Sequence, residues 1–182
     1  MLEKVRIVGC GTIGSNLAIA IAQHGLSKEI HLYDFDIVDR ESKISVFPIT
    51  PICSGLYKTQ IIQYYINYIS NDIVVFNHNE KIDKPLENSG YVIDCRDRKD
   101  NIINADIRLS LDNHVLIIDT TDDIPEFDFS SYCLVKKPEY IITAVGIIIA
   151  HIQSDRVKKK MKIMYDLDGS FVDYTIISPR ED

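Results

Sequence analysis

The chain has 182 residues, 46% of them hydrophobic, and a formal net charge of −7. That length holds one domain with a full core, taken here as residues 1–182. The acidic balance excludes non-specific binding to nucleic acid, and no apolar run is long enough to span a membrane.

The first element is a short apolar run, Val5-Arg6-Ile7-Val8, read as a buried strand. It leads into Gly9-Cys10-Gly11-Thr12-Ile13-Gly14, a G-x-G-x-x-G loop. A helix follows, with Ile13, Leu17, Ala20 and Ile21 on one face and Gly25 as its stop signal. Ile30 to Tyr33 is a second strand, closing on Asp34. Gly9 allows the tight turn, Gly11 lets a phosphate approach the backbone, and Gly14 lets the helix lie close to the strand. Unpaired N–H groups at the helix start would face the anion. Asp34 stands about twenty residues past the last glycine, where a ribose-binding carboxylate is expected. The alternative is a tight strand-to-helix turn with no ligand.

Residues 37–54 carry Pro48 and Pro51 and no steady period, a long crossover loop. A helix is expected from about Leu56 to Ile69, with Leu56, Ile61, Tyr64, Tyr65 and Tyr68 as its apolar face. Asp72 to Phe76 is a third strand, 81–88 a loop or short helix, and Tyr91 to Ile93 a fourth strand ending on Asp94-Cys95-Arg96-Asp97. A helix is expected over about Lys99 to Leu111, then a fifth strand from His114 to Asp119. Residues 120–138 are irregular and acidic. Ile141 to Gln153 is an apolar helix, buried on most sides. Two alternating strands about Asp168-Gly169, within Lys162 to Ile177, form a hairpin.

These elements predict an α/β, Rossmann-like fold: a mainly parallel, doubly wound sheet with a C-terminal antiparallel hairpin. Ligands of such sheets lie beyond the carboxyl ends of the strands, where the glycine loop, Asp34, Asp94 and Asp97 would converge. The alternative for Asp97 is a cap for the helix after it. The cysteines, Cys10, Cys53, Cys95 and Cys133, are far apart and form no C-x-x-C; with no signal peptide expected before the first strand, they read as free thiols in a reducing cytoplasm. The five histidines show no ligand spacing, and Lys158-Lys159-Lys160 reads as a solvated strand approach.

In order along the chain, IVGCGTIGSNLAIAIAQHGL, LYDFDIVD, GLYK, VIDCRDRKDNIINADIRL and MYDLDGSFVDYTI resemble the ThiF/MoeB family of ATP-dependent activating enzymes, which includes the ubiquitin-activating enzymes. The resemblance implies binding of ATP with Mg2+ and adenylation of the C-terminal carboxylate of a ubiquitin-like or sulfur-carrier protein. It places Gly9, Gly11 and Gly14 at the phosphates and Asp34 on the ribose, with Asp36 and Asp94 as further nucleotide-site carboxylates. It places Lys58 on the phosphates and Asp97 on the metal. A cation at a helix start opposes the helix dipole unless an anion is near, which suits Lys58 to that role. The resemblance also implies a homodimer or heterodimer, as does the apolar helix at Ile141 to Ile152.

The departures from the family bear on activity. The family's crossover-loop asparagine and arginine fall at Ser42 and Ser45, with Arg40 and Lys43 as possible substitutes. Eight residues precede Gly9, so the family's N-terminal arginine is expected to be missing. The family's zinc site uses two C-x-x-C pairs; Ser130-Ser131-Tyr132-Cys133 looks like one eroded pair, so zinc is not expected. Cys133 is then a relic ligand, a thioester or persulfide nucleophile, or a plain thiol. Two other readings compete with catalysis: an impaired nucleotide-binding or pairing subunit, and a nicotinamide-dependent oxidoreductase, in which Lys58 and Asp97 would have no role.

Overall fold

β1 (Leu2–Val8) forms because Val5, Ile7 and Val8 are β-favouring and can be buried on a pleated surface. After it come α1 (Thr12–Gln23), β2 (Ser27–Tyr33), α2 (Lys58–Ile69), β3 (Val74–His78), β4 (Tyr91–Asp94) and β5 (Ile107–Asp112). β6 (Val115–Asp119), α3 (Pro138–Gln153), β7 (Lys162–Asp166) and β8 (Asp173–Ile177) complete the order. The computed structural model describes residues 2–39, 48–82, 84–86, 90–96, 103–112, 115–120, 138–154, 162–167 and 173–177.

The strands form one eight-stranded sheet in the order β3-β2-β1-β4-β5-β6-β7-β8. The β3-β2-β1-β4-β5 run is parallel; β5 to β8 pair antiparallel. The fold is thus the expected α/β Rossmann-like sheet with a C-terminal antiparallel pair. β7 and β8 match Asp166 to Asp173, and the hairpin turn at Asp168-Gly169 lies outside the described residues.

Alternation along the strands divides the sheet into two faces. Val5, Ile7, Ile30, Leu32, Val75, Ile93 and Ile107 share one buried cluster with α1, α2 and α3. α1 lies between α2 and α3, so the described helices share this face. The opposite face carries a smaller cluster, Val8, Tyr33, Val92 and Ile103, with Ile82, Leu86 and Ala105 against it. Irregular segments before and after β4 cover it.

The segment from Ile103 to Leu111 departs from expectation. Ile103, Ile107 and Leu111 fit a helical spacing, yet Ile107–Asp112 is strand β5. The competing signal is the strict alternation Ile107-Arg108-Leu109-Ser110-Leu111, which places the apolar residues on the helix side. Asp106 locks the strand in place: its Oδ2 accepts the Val92 amide at 2.7 Å, and its own amide donates to the Val92 carbonyl at 2.9 Å. Residues 97–102 lie outside the described set.

The buried face of α2 is Ile61, Ile62 and Ile66, whereas Tyr64 and Tyr68, expected to face inward, are 70% and 85% exposed. Ile61 also joins Val38 and Ile49 in a third cluster. The crossover loop is therefore packed on α2 over its described part, which includes a 3-10 turn at Pro51–Cys53. α3 is less enclosed than expected. Ile141, Ala144, Val145, Ile148 and Ile149 are buried, but Ile142, Thr143, Gly146 and Ala150 are exposed. No described helix is long and apolar enough to cross a membrane.

Candidate functional site

The carboxyl ends of β1, β2 and β4 meet at the glycine loop. Gly9 has φ +88°, which favours glycine, and its amide donates to the Tyr33 carbonyl at 2.9 Å. A Cβ at Gly14 would lie 1.9 Å from the Gly9 carbonyl oxygen. Its absence is what lets α1 start against the end of β1. Gly11 is different: its φ is −74°, and an added Cβ would meet no protein atom within 4 Å. Neither backbone strain nor packing calls for glycine there, which fits a position kept small for a bound group. α1 begins with no side-chain cap and no acidic residue in its first turn. Its leading N–H groups therefore have no side-chain acceptor, the arrangement that receives an anion.

Asp34 closes the loop from the β2 side. Its Oδ2 accepts the Cys10 amide at 2.6 Å and its Oδ1 accepts the Asp36 amide at 2.8 Å. Burial raises the Asp34 pKa, opposed by Lys58 and by the two amide hydrogen bonds. Burial, together with the Asp34 and Cys95 charges, pushes the Cys10 thiol well above its usual range, so Cys10 is a packed thiol and not a nucleophile.

Lys58 opens α2, and a local ladder delivers it to the site. Ile37 bridges Tyr57, the Val38 amide donates to the Leu56 carbonyl, and the Lys58 amide donates to the Asp36 carbonyl. The Lys58 ammonium then donates to Asp36 Oδ2 at 2.5 Å. The anion that makes a cation tolerable at this helix start is thus Asp36.

Asp94 ends β4 with no exposed surface. Its Oδ1 accepts the Arg96 amide and Nε, both at 3.0 Å, and its Oδ2 accepts Arg96 Nη2 at 3.0 Å. Gly9, Gly11, Gly14, Asp34, Asp36, Lys58 and Asp94 therefore gather at one end of the sheet. Asp97, Arg40, Ser42, Lys43, Ser45 and Cys133 lie outside the described residues. Among the described residues, no group of three or more His, Cys, Asp or Glu side chains could hold a metal.

Sequence reasoning passed over Arg96, Arg108 and Asp119. Arg108 and Asp119 are buried on the face opposite the helices and follow Asp94 in register across β4, β5 and β6. Arg108 Nη2 donates to the Ile103 carbonyl at 3.4 Å. A lone cation between two carboxylates (Asp94-Arg96-Asp97) and a charged residue in an alternating apolar run were the available signals.

No curated protein sequence matches the chain. Among solved structures, E. coli MccB with MccA superposes with a TM-score of 0.71 at 15% identity, covering 97% of this chain and 63% of that one. E. coli MccB with ATP gives 0.67 at 15% identity, covering 98% of this chain and 65% of that one. PaaA gives 0.70 at 16% identity, covering 97% and 64%. At such identities the likeness is one of fold, and the chain spans less than two thirds of the length of these neighbours. The ThiF family profile matches residues 2–150, and the chain belongs to the ThiF family.

Proposed function

We propose that the chain is an ATP-dependent adenylyltransferase acting on a carboxylate of a peptide or protein, with a ubiquitin-like or sulfur-carrier C-terminus as the substrate the family resemblance favours. The observation that carries this reading is Gly11. It is a glycine that its own fold does not require, at an uncapped helix start, beside a carboxylate and a lysine from two other elements. One of the similar MccB structures is a complex with ATP, which agrees with a nucleotide-binding role for this fold.

In the reaction, a substrate carboxylate oxygen forms a bond to the α-phosphorus of ATP. The bond from that phosphorus to the α,β-bridging oxygen breaks, and pyrophosphate leaves with the electron pair. The products are an acyl-adenylate and pyrophosphate. Asp34, accepting two amides, is placed for the ribose. The α1 N-terminus holds phosphate oxygens, and Lys58 offsets charge growing on the leaving group. Lys58 has to loosen its contact with Asp36 to do so. Mg2+ is assigned to Asp97 by the resemblance alone and would add charge neutralisation at the leaving pyrophosphate. The homodimer or heterodimer of the family and a cytoplasmic setting belong to the same proposal.

ATP–pyrophosphate exchange and Mg-dependent ATP titration test it. Wild type should bind ATP and not NAD. Asp97→Asn should lose Mg-dependent binding at least about tenfold while melting within about 1 kcal/mol of wild type, because asparagine caps a helix nearly as well as aspartate. NAD binding with no response to Mg-ATP would overturn the reading. The second reading, a pairing subunit that needs a partner's groups, draws on the Lys58–Asp36 pair, which ties up this cation. It predicts ATP binding without exchange until a partner is added.

A further inference from the structure

We propose that the His31–His78 pair positions the ribose carboxylate Asp34 from the β3 side and withdraws that support at acid pH; this rests on the nucleotide reading above. Asp34 is held from both neighbouring strands. On the β1 side its Oδ2 accepts the Cys10 amide. On the β3 side its own amide donates to the His78 carbonyl at 3.2 Å. His78 ends β3 and lies in register with Tyr33, which ends β2. The His78 ring lies flat on Tyr33, with centroids 4.1 Å apart and planes 7° apart. The Tyr33 carbonyl in turn accepts the Gly9 amide. The position of His78 is therefore passed on to the backbone of Asp34 and to the start of the glycine loop.

The ring is held by this stack and by His31, whose Nδ1 is 2.9 Å from His78 Nε2. The other His31 nitrogen, Nε2, is 2.7 Å from Glu29 Oε1. Lys4 first and His31 next hold the Glu29 carboxyl below its ordinary range, so Glu29 is an ionised acceptor. His31 Nε2 therefore carries a hydrogen, and the gap between the two rings takes one more, carried by either ring. With one hydrogen there the pair is bonded. With both rings protonated, N–H faces N–H and the contact becomes repulsive. Burial of His78, then the charge of His31, oppose that second proton. Buried Arg6, in register with His31 on β1, opposes it as well, and Glu80 favours it. The form that supports Asp34 thus binds fewer protons than the form with both rings charged. Nucleotide affinity is full above pH 6.5 and falls as pH drops below it. One proton limits the fall to about tenfold per pH unit. His78 is then a positioning residue that acts through Asp34 and touches no ligand.

The test is amide NMR of wild type, His78→Phe and His78→Gln from about pH 8 to about pH 5, beside ATP titrations at both ends of that range. In wild type the Asp34 amide signal should move with an inflection below pH 6.5. Neither variant should show that inflection, because phenylalanine keeps the stack, glutamine keeps a polar contact and neither titrates. ATP affinity should agree among the three at the upper pH. On acidification wild type should lose at least about threefold more than either variant. Titration of ATP itself and of Asp34, whose pKa burial raises, is common to all three and cancels in the comparison. If the phenylalanine variant does not fold, the glutamine variant decides by the same criteria. An Asp34 amide that titrates alike in all three, or ATP affinity that falls alike, would show that the pair only braces the β2–β3 edge. A wild-type chain that binds no ATP at the upper pH would instead overturn the nucleotide reading, and the amide titration would still decide the coupling of His78 to Asp34.

Discussion

On the helix side of the sheet, Ile7, Leu32 and Ile93 meet Leu17, Ile21 and Ile148 in an apolar interior. On the other side β1, β4, β5 and β6 bury Arg6, Asp94, Arg108 and Asp119. Burial on the first side needs only apolar area, and any well-packed aliphatic set supplies it. Burial on the second side removes charges from water, which is tolerated only with partners in good geometry. Asp94 with three hydrogen bonds from Arg96 is the clearest instance. The difference teaches that the stability of this fold comes mainly from one face, while polar groups requiring fixed geometry collect on the other and at its carboxyl rim.

The largest expected break is on the helix side. Leu17 is fully buried in the main cluster, and Leu17→Ala should cost roughly 2–5 kcal/mol of stability by the cavity it leaves. Urea denaturation measures it. Where the variant is still folded, ATP affinity should match wild type; a parallel loss would mean that the two sides are not separable.

The rim is tested by its two different glycines. Gly14→Ala pushes a methyl against the Gly9 carbonyl and should cost about 1–3 kcal/mol, as overpacking commonly does. Gly11→Ser meets no protein atom within 4 Å and supplies the cap that α1 lacks. It should leave the melting temperature unchanged or raised, yet weaken ATP at least about tenfold by filling the place of a phosphate. Destabilisation by Gly11→Ser, with ATP affinity intact, would make this loop a plain turn.

The smallest effect concerns the polar face near β3. His31 Nδ1 and His78 Nε2 are 2.9 Å apart, so one ring donates while the other accepts. His78 also stacks on Tyr33 with centroids 4.1 Å apart. Burial first, then His31 and Arg6, lower the His78 pKa below its ordinary 6.5, with Glu80 pulling it back. Just below pH 6.5 the unfolded chain therefore binds more protons than the folded one. Stability rises with pH through that window and is lost as pH falls. His78→Phe keeps the stacking and should flatten this slope of melting temperature against pH. The change should stay below about 1 kcal/mol, since solvent screens the partly exposed ring. An unaltered slope would place the titration elsewhere.

Much of this was legible in the residues because it is local. Gly9 to Gly14 followed by Leu17 and Ile21 states a strand-to-helix turn through backbone freedom and a period of 3.6 alone. The alternation in the last strands states a hairpin in the same way. By itself, then, the sequence determined the succession along the chain of the first four strands and first two helices, the glycine turn, and the place of Asp34 and Asp94 at strand ends. Tertiary structure decided what depends on neighbours distant along the chain. Ile107 to Leu111 satisfied both a helical and an alternating pattern, and the edge of β4 selected the strand. Tyr64 and Tyr68 looked like a core face until Ile62 and Ile66 took the contact with α1 and the sheet. Lys58 and Asp36 are far apart along the chain, as are Gly9 and Arg96, and only the folded sheet brings each pair together. The physical reason is that propensity and periodicity act within a few residues, whereas pairing of buried charges and choice of sheet edge follow from packing that no short window contains.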